Sequence, residues 1–505
     1  MGRIHLRRIS RFVTGSIATF GVALAGPASA APVAAAVFHP SVSDYVQMTT
    51  STTPPTQAQC NSVGRRCFNP QSTRAAYNLA PLYAAGHDGR GVTIAIVDSY
   101  GSDTIAHDLH VYNQTFGLQP MCGEEGVSCG PGMPTFSILH VEGAPATTAP
   151  PSTSNSPGQE AKSAWALEVS LDVETSHAIA PQANILLVTT PTAETLGVQG
   201  FPNMMDAEQF VIDHHLANVI SQSFASAEDA FSSFQAIQPL RHAYISAAAN
   251  GVTVLGSSGD GGTANIQKTP VGQFGSLIPF PTVEWPASDP LVTGVGGTYL
   301  CTDATNTTSR VVDSASPPGA CRNNPGVAEV GWVDSGGGFS HVFSRPSYQD
   351  SLPAGSTPID AMRGVPDVAL QASSRTGALV YLTLPPDGLS GLICGPKGSP
   401  PCSTGWYDIG GTSLSCPQWA GLVAIADQIN GGGLGLLNPG LYKIGASASR
   451  YASDFYDVTV GNNTNPNFPS VPGYSATTGW DPVTGLGTPN AANLVPDLVK
   501  AVNGH

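Results

Sequence analysis

The sequence predicts an α/β fold with a mostly parallel central sheet and helices on both faces. Three observations predict it. Residues 92–97 form an unbroken β-branched and apolar run ending in Asp98, the character of a strand buried on both faces. Similar runs recur at 185–188, 219–220, 252–255 and 291–295. Helix-like segments such as 161–177 and 207–216 lie between them, and strands alternating with helices build a parallel sheet. Sites in such sheets gather at the carboxyl ends of the strands.

Composition limits what this fold can do. Only 11% of the 505 residues are charged, while 57 glycines and 43 prolines suit a loop-rich globular chain rather than a disordered acidic one. The net charge of −15 would repel polyanions, which disfavours nucleic-acid partners. The first 30 residues contain four arginines and no acid, so the remainder is more acidic still.

Arg3, Arg7, Arg8 and Arg11 precede an apolar run over 12–25 and then Ala28-Ser29-Ala30, the pattern of a secretory signal cleaved after Ala30. The run falls short of the ~20 residues a spanning helix needs, so neither an anchor nor stable membrane association is expected. Arg7-Arg8 leaves twin-arginine export as an alternative route. Residues 31–75, rich in Ala, Pro, Ser and Thr without periodicity, read as a flexible leader, with order expected from Ala76 to the C-terminus. The Pro/Ser/Thr-rich stretch 144–158 reads as a surface loop, and the glycines of 431–435, which follow a helix, as a turn.

Eight of the nine cysteines fall into sequence-near couples, Cys60/Cys67, Cys122/Cys129, Cys301/Cys321 and Cys394/Cys402, leaving Cys416 over. In an exported chain these couples are expected as disulfides. Neither a C-x-x-C couple nor H-E-x-x-H supports zinc.

The sharpest chemical motif is Gly410-Gly411-Thr412-Ser413-Leu414-Ser415-Cys416-Pro417 ahead of an apolar run. A glycine-rich turn entering a helix exposes a serine where helix N–H groups favour developing negative charge. Alone it could be an ordinary N-cap. Two further segments accompany it. Glu168 and Asp172, four apart among Trp165, Leu167, Val169, Leu171 and Val173, share one helix face. Residues 254–258 run as a strand into Ser258-Gly259-Asp260-Gly261-Gly262.

Together these segments resemble the sedolisin family, the serine-carboxyl peptidases of the subtilisin-like clan. The likeness extends from about Gln71 to the end, through Glu284-Trp285-Pro286, Val295-Gly296-Gly297-Thr298, 335–349, Val365-Pro366-Asp367 and Leu437-Asn438-Pro439. None of the twelve histidines lies in the H-G-T-H setting of the histidine-dependent relatives. The resemblance implies Ser413 as nucleophile, Glu168 as general base, Asp172 as its partner and Asp260 as oxyanion donor, and it leaves Asp98 outside the active set. It also implies one structural calcium ion held by the carboxylates of Asp457 and Asp481 and the carbonyls of Val458, Thr477 and Gly479, an all-oxygen set suited to a hard cation.

The expected protein is therefore a secreted, monomeric endopeptidase acting on proteins or peptides in acid. Two departures from the family pattern stand out. The 31–75 leader is too short for the family's folded pro-segment, and residue 410 is Gly where many relatives carry Ser. A neutral or alkaline subtilisin-type peptidase lacks its histidine motif here. A non-catalytic binding protein on the same fold is disfavoured because Glu168, Asp172, Asp260 and Ser413 are all present.

Overall fold

The computed structural model describes residues 45–141, 157–190, 200–231, 233–266, 276–384 and 403–504. The proposed signal over 1–30, the first part of the leader and the Cys394/Cys402 couple lie outside them. So does the 144–158 stretch, except for Pro157 and Gly158 at the start of a helix.

The predicted apolar runs become the strands of one twisted sheet. In chain order they are β2 (Thr93–Ser99), β3 (Phe136–His140), β4 (Asn184–Thr190), β5 (Val219–Gln222), β6 (Thr253–Ser257), β7 (Thr293–Leu300), β8 (Glu329–Gly331) and β9 (Val368–Gln371), after an N-terminal strand β1 (Tyr45–Thr49). Their order across the sheet is β8-β7-β6-β5-β2-β4-β3, with β9 also paired to β7. All pairs are parallel except β8 with β7. β1 belongs to a separate antiparallel sheet, between whose other strands, β10 (Ala378–Leu382) and β11 (Gly405–Ile409), the order is β1-β11-β10.

Helices cover both faces. Ile94, Ile96, Ile185, Leu187 and Leu255 pack toward the long helices α3 (Pro157–Ile179), α6 (Thr412–Asn430) and α7 (Ala491–Val502). Ala95, Val97, Val188 and Ile220 pack toward α4 (Phe201–Asp213) and α5 (His242–Asn250). α4 starts six residues before the expected 207, because Pro202 sits in its first turn, where a missing N–H costs nothing. α6 ends as expected at Gly431, left-handed at φ 77.

The flexible leader is corrected over residues 45–75. β1 pairs with β11, with Tyr45 opposite Ile409, and Cys60 is bonded to Cys67. Arg66 is fully buried and donates to the carbonyls of Thr302, Asp313, Ser316 and Pro317, so the arm is tied to the loop that the Cys301–Cys321 bond closes. Helix α1 (Pro70–Ala76) starts at a reciprocal Asn69/Ser72 cap, and α2 (Ile105–Phe116) follows β2. Low periodicity concealed these anchors because each partner lies far away in sequence. The Cys122–Cys129 bond also forms, and Cys416 is free and buried. Among the described residues no helix is long and apolar enough to cross a membrane.

Candidate active site

Four segments meet at the carboxyl ends of the parallel strands. β11 leads into Gly410-Gly411, and α6 starts at the next residue. A Cβ at 410 would lie 2.2 Å from the Ala372 oxygen and the Ser374 nitrogen, which accounts for glycine at this position in place of serine. Gly411 takes φ 122, open to glycine but not to residues with a Cβ. Ser413 then falls in the first helical turn, only 2% exposed. In that turn the Thr412 N–H is given to Asp260 and the Leu414 N–H to the Gly411 carbonyl, and the positive end of the helix dipole favours negative charge.

The second segment is α3. A helix normally buries one stripe, but here Trp165, Leu167, Glu168, Val169, Ser170, Leu171, Asp172 and Val173 are all fully buried. Glu168 and Asp172 lie one turn apart on it, and Asp98 is the last residue but one of the neighbouring strand β2. Burial is the main force on all three carboxyls. It pushes Asp98 up to about 8. Glu168 and Asp172 are raised well above the usual carboxylate range by burial first and then by the charge of Asp98. The three cannot all be ionised together, so they titrate as a unit and share protons.

The carboxyl oxygens of Asp98, Glu168 and Asp172 stop short of hydrogen-bond contact with any donor. The hydroxyls of Ser413 and Ser223 nevertheless face Glu168, and that of Ser223 faces Asp172, closely enough to favour the ionised forms. Such spacing is common before substrate arrives and closes the site. His177, on the same helix, is bonded through Nε2 to the Gln119 carbonyl, and burial lowers it to about 4. It is a neutral structural side chain, not a base for Ser413.

The third segment is Ser258-Gly259-Asp260, directly after β6. Asp260 Oδ1 accepts the Thr412 backbone N–H at 2.7 Å and its hydroxyl at 2.8 Å, which fixes the carboxyl beside the nucleophile turn. Gly259 takes φ 106, and a Cβ there would fall 2.0 Å from Glu284 Oε2. The fourth is Ser223, which follows β5. Beneath them Cys416 Sγ lies 3.5 Å from Ser221 Oγ, and burial pushes its thiol up to about 12, which keeps it unreactive.

The structure thus brings together Ser413, Glu168, Asp172 and Asp260, all named from sequence. It adds Asp98, Ser223 and Thr412, which sequence reasoning left out. An acid ending a buried apolar strand was the one visible signal for Asp98.

The residues expected to hold calcium also converge. Both oxygens of Asp457 accept the Gly479 N–H, at 3.2 and 3.1 Å, and Oδ1 also accepts the Tyr451 hydroxyl at 3.0 Å. Asp481 Oδ2 accepts the Thr477 N–H at 3.1 Å, while its Oδ1 accepts those of Val483 and Thr484. Val458 is adjacent in sequence to Asp457 and buried. Two carboxylates and a folded 477–481 loop fit an oxygen-liganded hard cation, and among the described residues no cluster of three or more His, Cys, Asp or Glu offers another metal centre.

No protein-family model matches the chain. It is 30% identical over 485 residues to kumamolisin of Bacillus sp. (strain MN-32), covering 94% of this chain and 72% of that protein. It is 28% identical over 368 residues to tripeptidyl-peptidase 1 of Bos taurus, covering 68% and 54%. Against sedolisin of Pseudomonas sp. (strain 101) it is 32% identical over 314 residues, covering 61% and 45%. The chain therefore spans about half the length of the last two. Among solved structures, Pseudomonas sedolisin, a serine-carboxyl proteinase complexed with two molecules of pseudo-iodotyrostatin, aligns with TM-score 0.58 and 24% identity over 86% of this chain and 98% of that one, a likeness of fold.

Proposed function

This chain belongs to the sedolisin family and is a serine-type peptidase, and from that premise we propose that it is a secreted endopeptidase that cleaves proteins at acidic pH through Ser413, Glu168, Asp172 and Asp260. The observation that carries this reading is the pair of fully buried carboxyls on α3, facing the serine of the α6 turn, where among the described residues no histidine acts on either carboxyl. Carboxyls that cost so much to bury are kept where their altered acidity is used.

Ser413 Oγ attacks the peptide carbonyl carbon while its proton passes to Glu168. Asp172 orients Glu168 and shares the proton, and Asp98 limits how much charge the group can carry. The tetrahedral oxyanion is held by the protonated carboxyl of Asp260. The intermediate collapses when Glu168 returns its proton to the leaving amine. Water then attacks the acyl-enzyme, giving a proton to Glu168, and Glu168 passes that proton to Ser413 Oγ as the bond to the acyl group breaks and the acid product leaves.

A histidine with pKa ~6.5 is protonated near pH 4 and cannot act as a base there; in the proton-sharing group burial opposes charge on every carboxyl, while the Ser413 and Ser223 hydroxyls favour it on Glu168, so the one carboxylate the reaction needs forms there. Digestion of a denatured protein across pH 3 to 7, with the products sequenced, tests the proposal. Internal cleavage with an acidic optimum is expected, and an optimum above pH 7 would count against it. The disulfides and the N-terminal signal pattern support an extracellular location.

Asp260→Ala is expected to lower kcat by on the order of 10² to 10³, the usual loss for one oxyanion donor. Asp260→Asn supplies a donor at every pH, so it should retain more activity than Ala and lose less of it between pH 4 and 6 than the parent does. Full kcat in the Ala variant at the optimum would reduce Asp260 to a turn residue.

We further propose that Asp457, Val458, Thr477, Gly479 and Asp481 hold one calcium ion whose role is to cross-link two loops of the folded chain. At a hundredfold excess over Kd such an ion stabilises by about 2.7 kcal/mol. For the roughly 410 described residues that corresponds to about 3 °C in Tm. EDTA should therefore lower the melting point by about that much, and added calcium should restore it. An unchanged melting curve, with no calcium found by elemental analysis, would remove the site.

A further inference from the structure

Asp260 and Thr412 are joined more closely than a turn requires. The Gly259 N–H donates to Thr412 Oγ at 3.1 Å, so the hydroxyl's own proton is directed elsewhere, to Asp260 Oδ1 at 2.8 Å. The Thr412 backbone N–H reaches the same oxygen at 2.7 Å. All of these groups are buried. Oδ1 is thus held as an acceptor by two donors from one residue, and in a carboxylic acid the oxygen that accepts is the carbonyl-like one.

We propose that Thr412 is a positioning residue that sets which oxygen of Asp260 carries the acid proton: it reserves Oδ1 as acceptor, and the proton resides on Oδ2, the oxygen that donates to the oxyanion. The inference rests on the reading of Asp260 as oxyanion donor and adds to it how the donor is aimed. Among the described residues, the titratable side chains facing Asp260 are Glu168 from α3 and Glu284 from the short strand Glu284–Trp285. Both are acids, so the Thr412 donors act on Asp260 in the opposite sense to its charged neighbours. A donor on a carboxyl oxygen favours the ionised form, so losing it raises that group's apparent pKa.

The test is the pH dependence of kcat and KM for Thr412→Val, Thr412→Ala and Thr412→Ser, each made in the parent and in the Asp260→Asn background. Val keeps the shape without the donor and Ser keeps the donor. In the parent background Val and Ala should move the descending limb of kcat up by about 0.5 to 1 pH unit, from the difference between a charged and a neutral hydrogen bond. They should also lower kcat at the optimum about tenfold through loosened aim, with KM changed less than twofold. Ser should restore both quantities. In the Asp260→Asn background, the Val and Ala changes should leave both limbs where they are. A tenfold loss of kcat with the limb unmoved, or an equal limb shift in both backgrounds, would overturn the inference. If Asp260→Ala itself keeps full kcat, it is the oxyanion reading that fails, whatever the Thr412 variants do.

Discussion

Ser413→Ala and Glu168→Gln are each expected to lower kcat by on the order of 10⁴ to 10⁶ on the same peptide at the parent's optimal pH. The alanine has no oxygen to attack with. The glutamine has nearly the shape of Glu168, but its amide cannot take a proton, so the serine stays a neutral hydroxyl throughout. Because the two groups act as one device, the double variant should be little worse than either single one. The fold should survive both changes. Ser413 is small, and Glu168 sits where burial already disfavours its charged form, so a permanently neutral amide removes a cost rather than adding one. Steady-state rates together with near-UV circular dichroism check both halves. Either variant keeping more than about 1% of parental kcat would end the assignment.

The melting temperature is expected to fall by on the order of 10 °C between pH 4 and pH 8. Burial raises Asp98, Glu284 and Asp427 to about 8 and Asp108 to about 6, and raises Glu168, Asp172, Glu174 and Glu208 as well. In the unfolded chain the same groups lose their protons near pH 4. Between those limits the folded state holds more protons than the unfolded one, so stability is fully present below about pH 4 and declines as pH rises through the folded values. His177 works the other way. Lowered to about 4, it adds stability as pH rises from about 4 to 6.5. One histidine against eight carboxyls leaves the balance with acid. Calorimetry at fixed ionic strength decides it, and a Tm at pH 8 equal to or above that at pH 4 would refute the account.

Much of this was readable in the chain because the informative patterns are local. The apolar strand that carries Asp98, the α3 carboxyls four residues apart and the glycine turn before Ser413 are each local in sequence, and three of the disulfides close loops of 20 residues or fewer in sequence separation. What was missed is non-local. β1 is five residues inside a low-complexity stretch, and its partner strand lies some 360 residues away. Asp98 joins Glu168 and Asp172 only through the β2–α3 packing, which no spacing reveals. Thr412 looked like part of the nucleophile motif, and its bond to Asp260 spans 152 residues.

The pairing of β1 with β11 also bears on how the enzyme tolerates being shortened. β11 ends at Ile409, and β1 covers one of its two edges right up to that residue. A recombinant form starting after Thr49 would leave that edge as a row of open N–H and C=O groups, four residues ahead of the nucleophile, ready to pair with another copy. Shelf life and catalytic uniformity would then be lost together, as strand-to-strand association pulled on the turn that presents Ser413. Trimming meant to simplify production should stop before Tyr45.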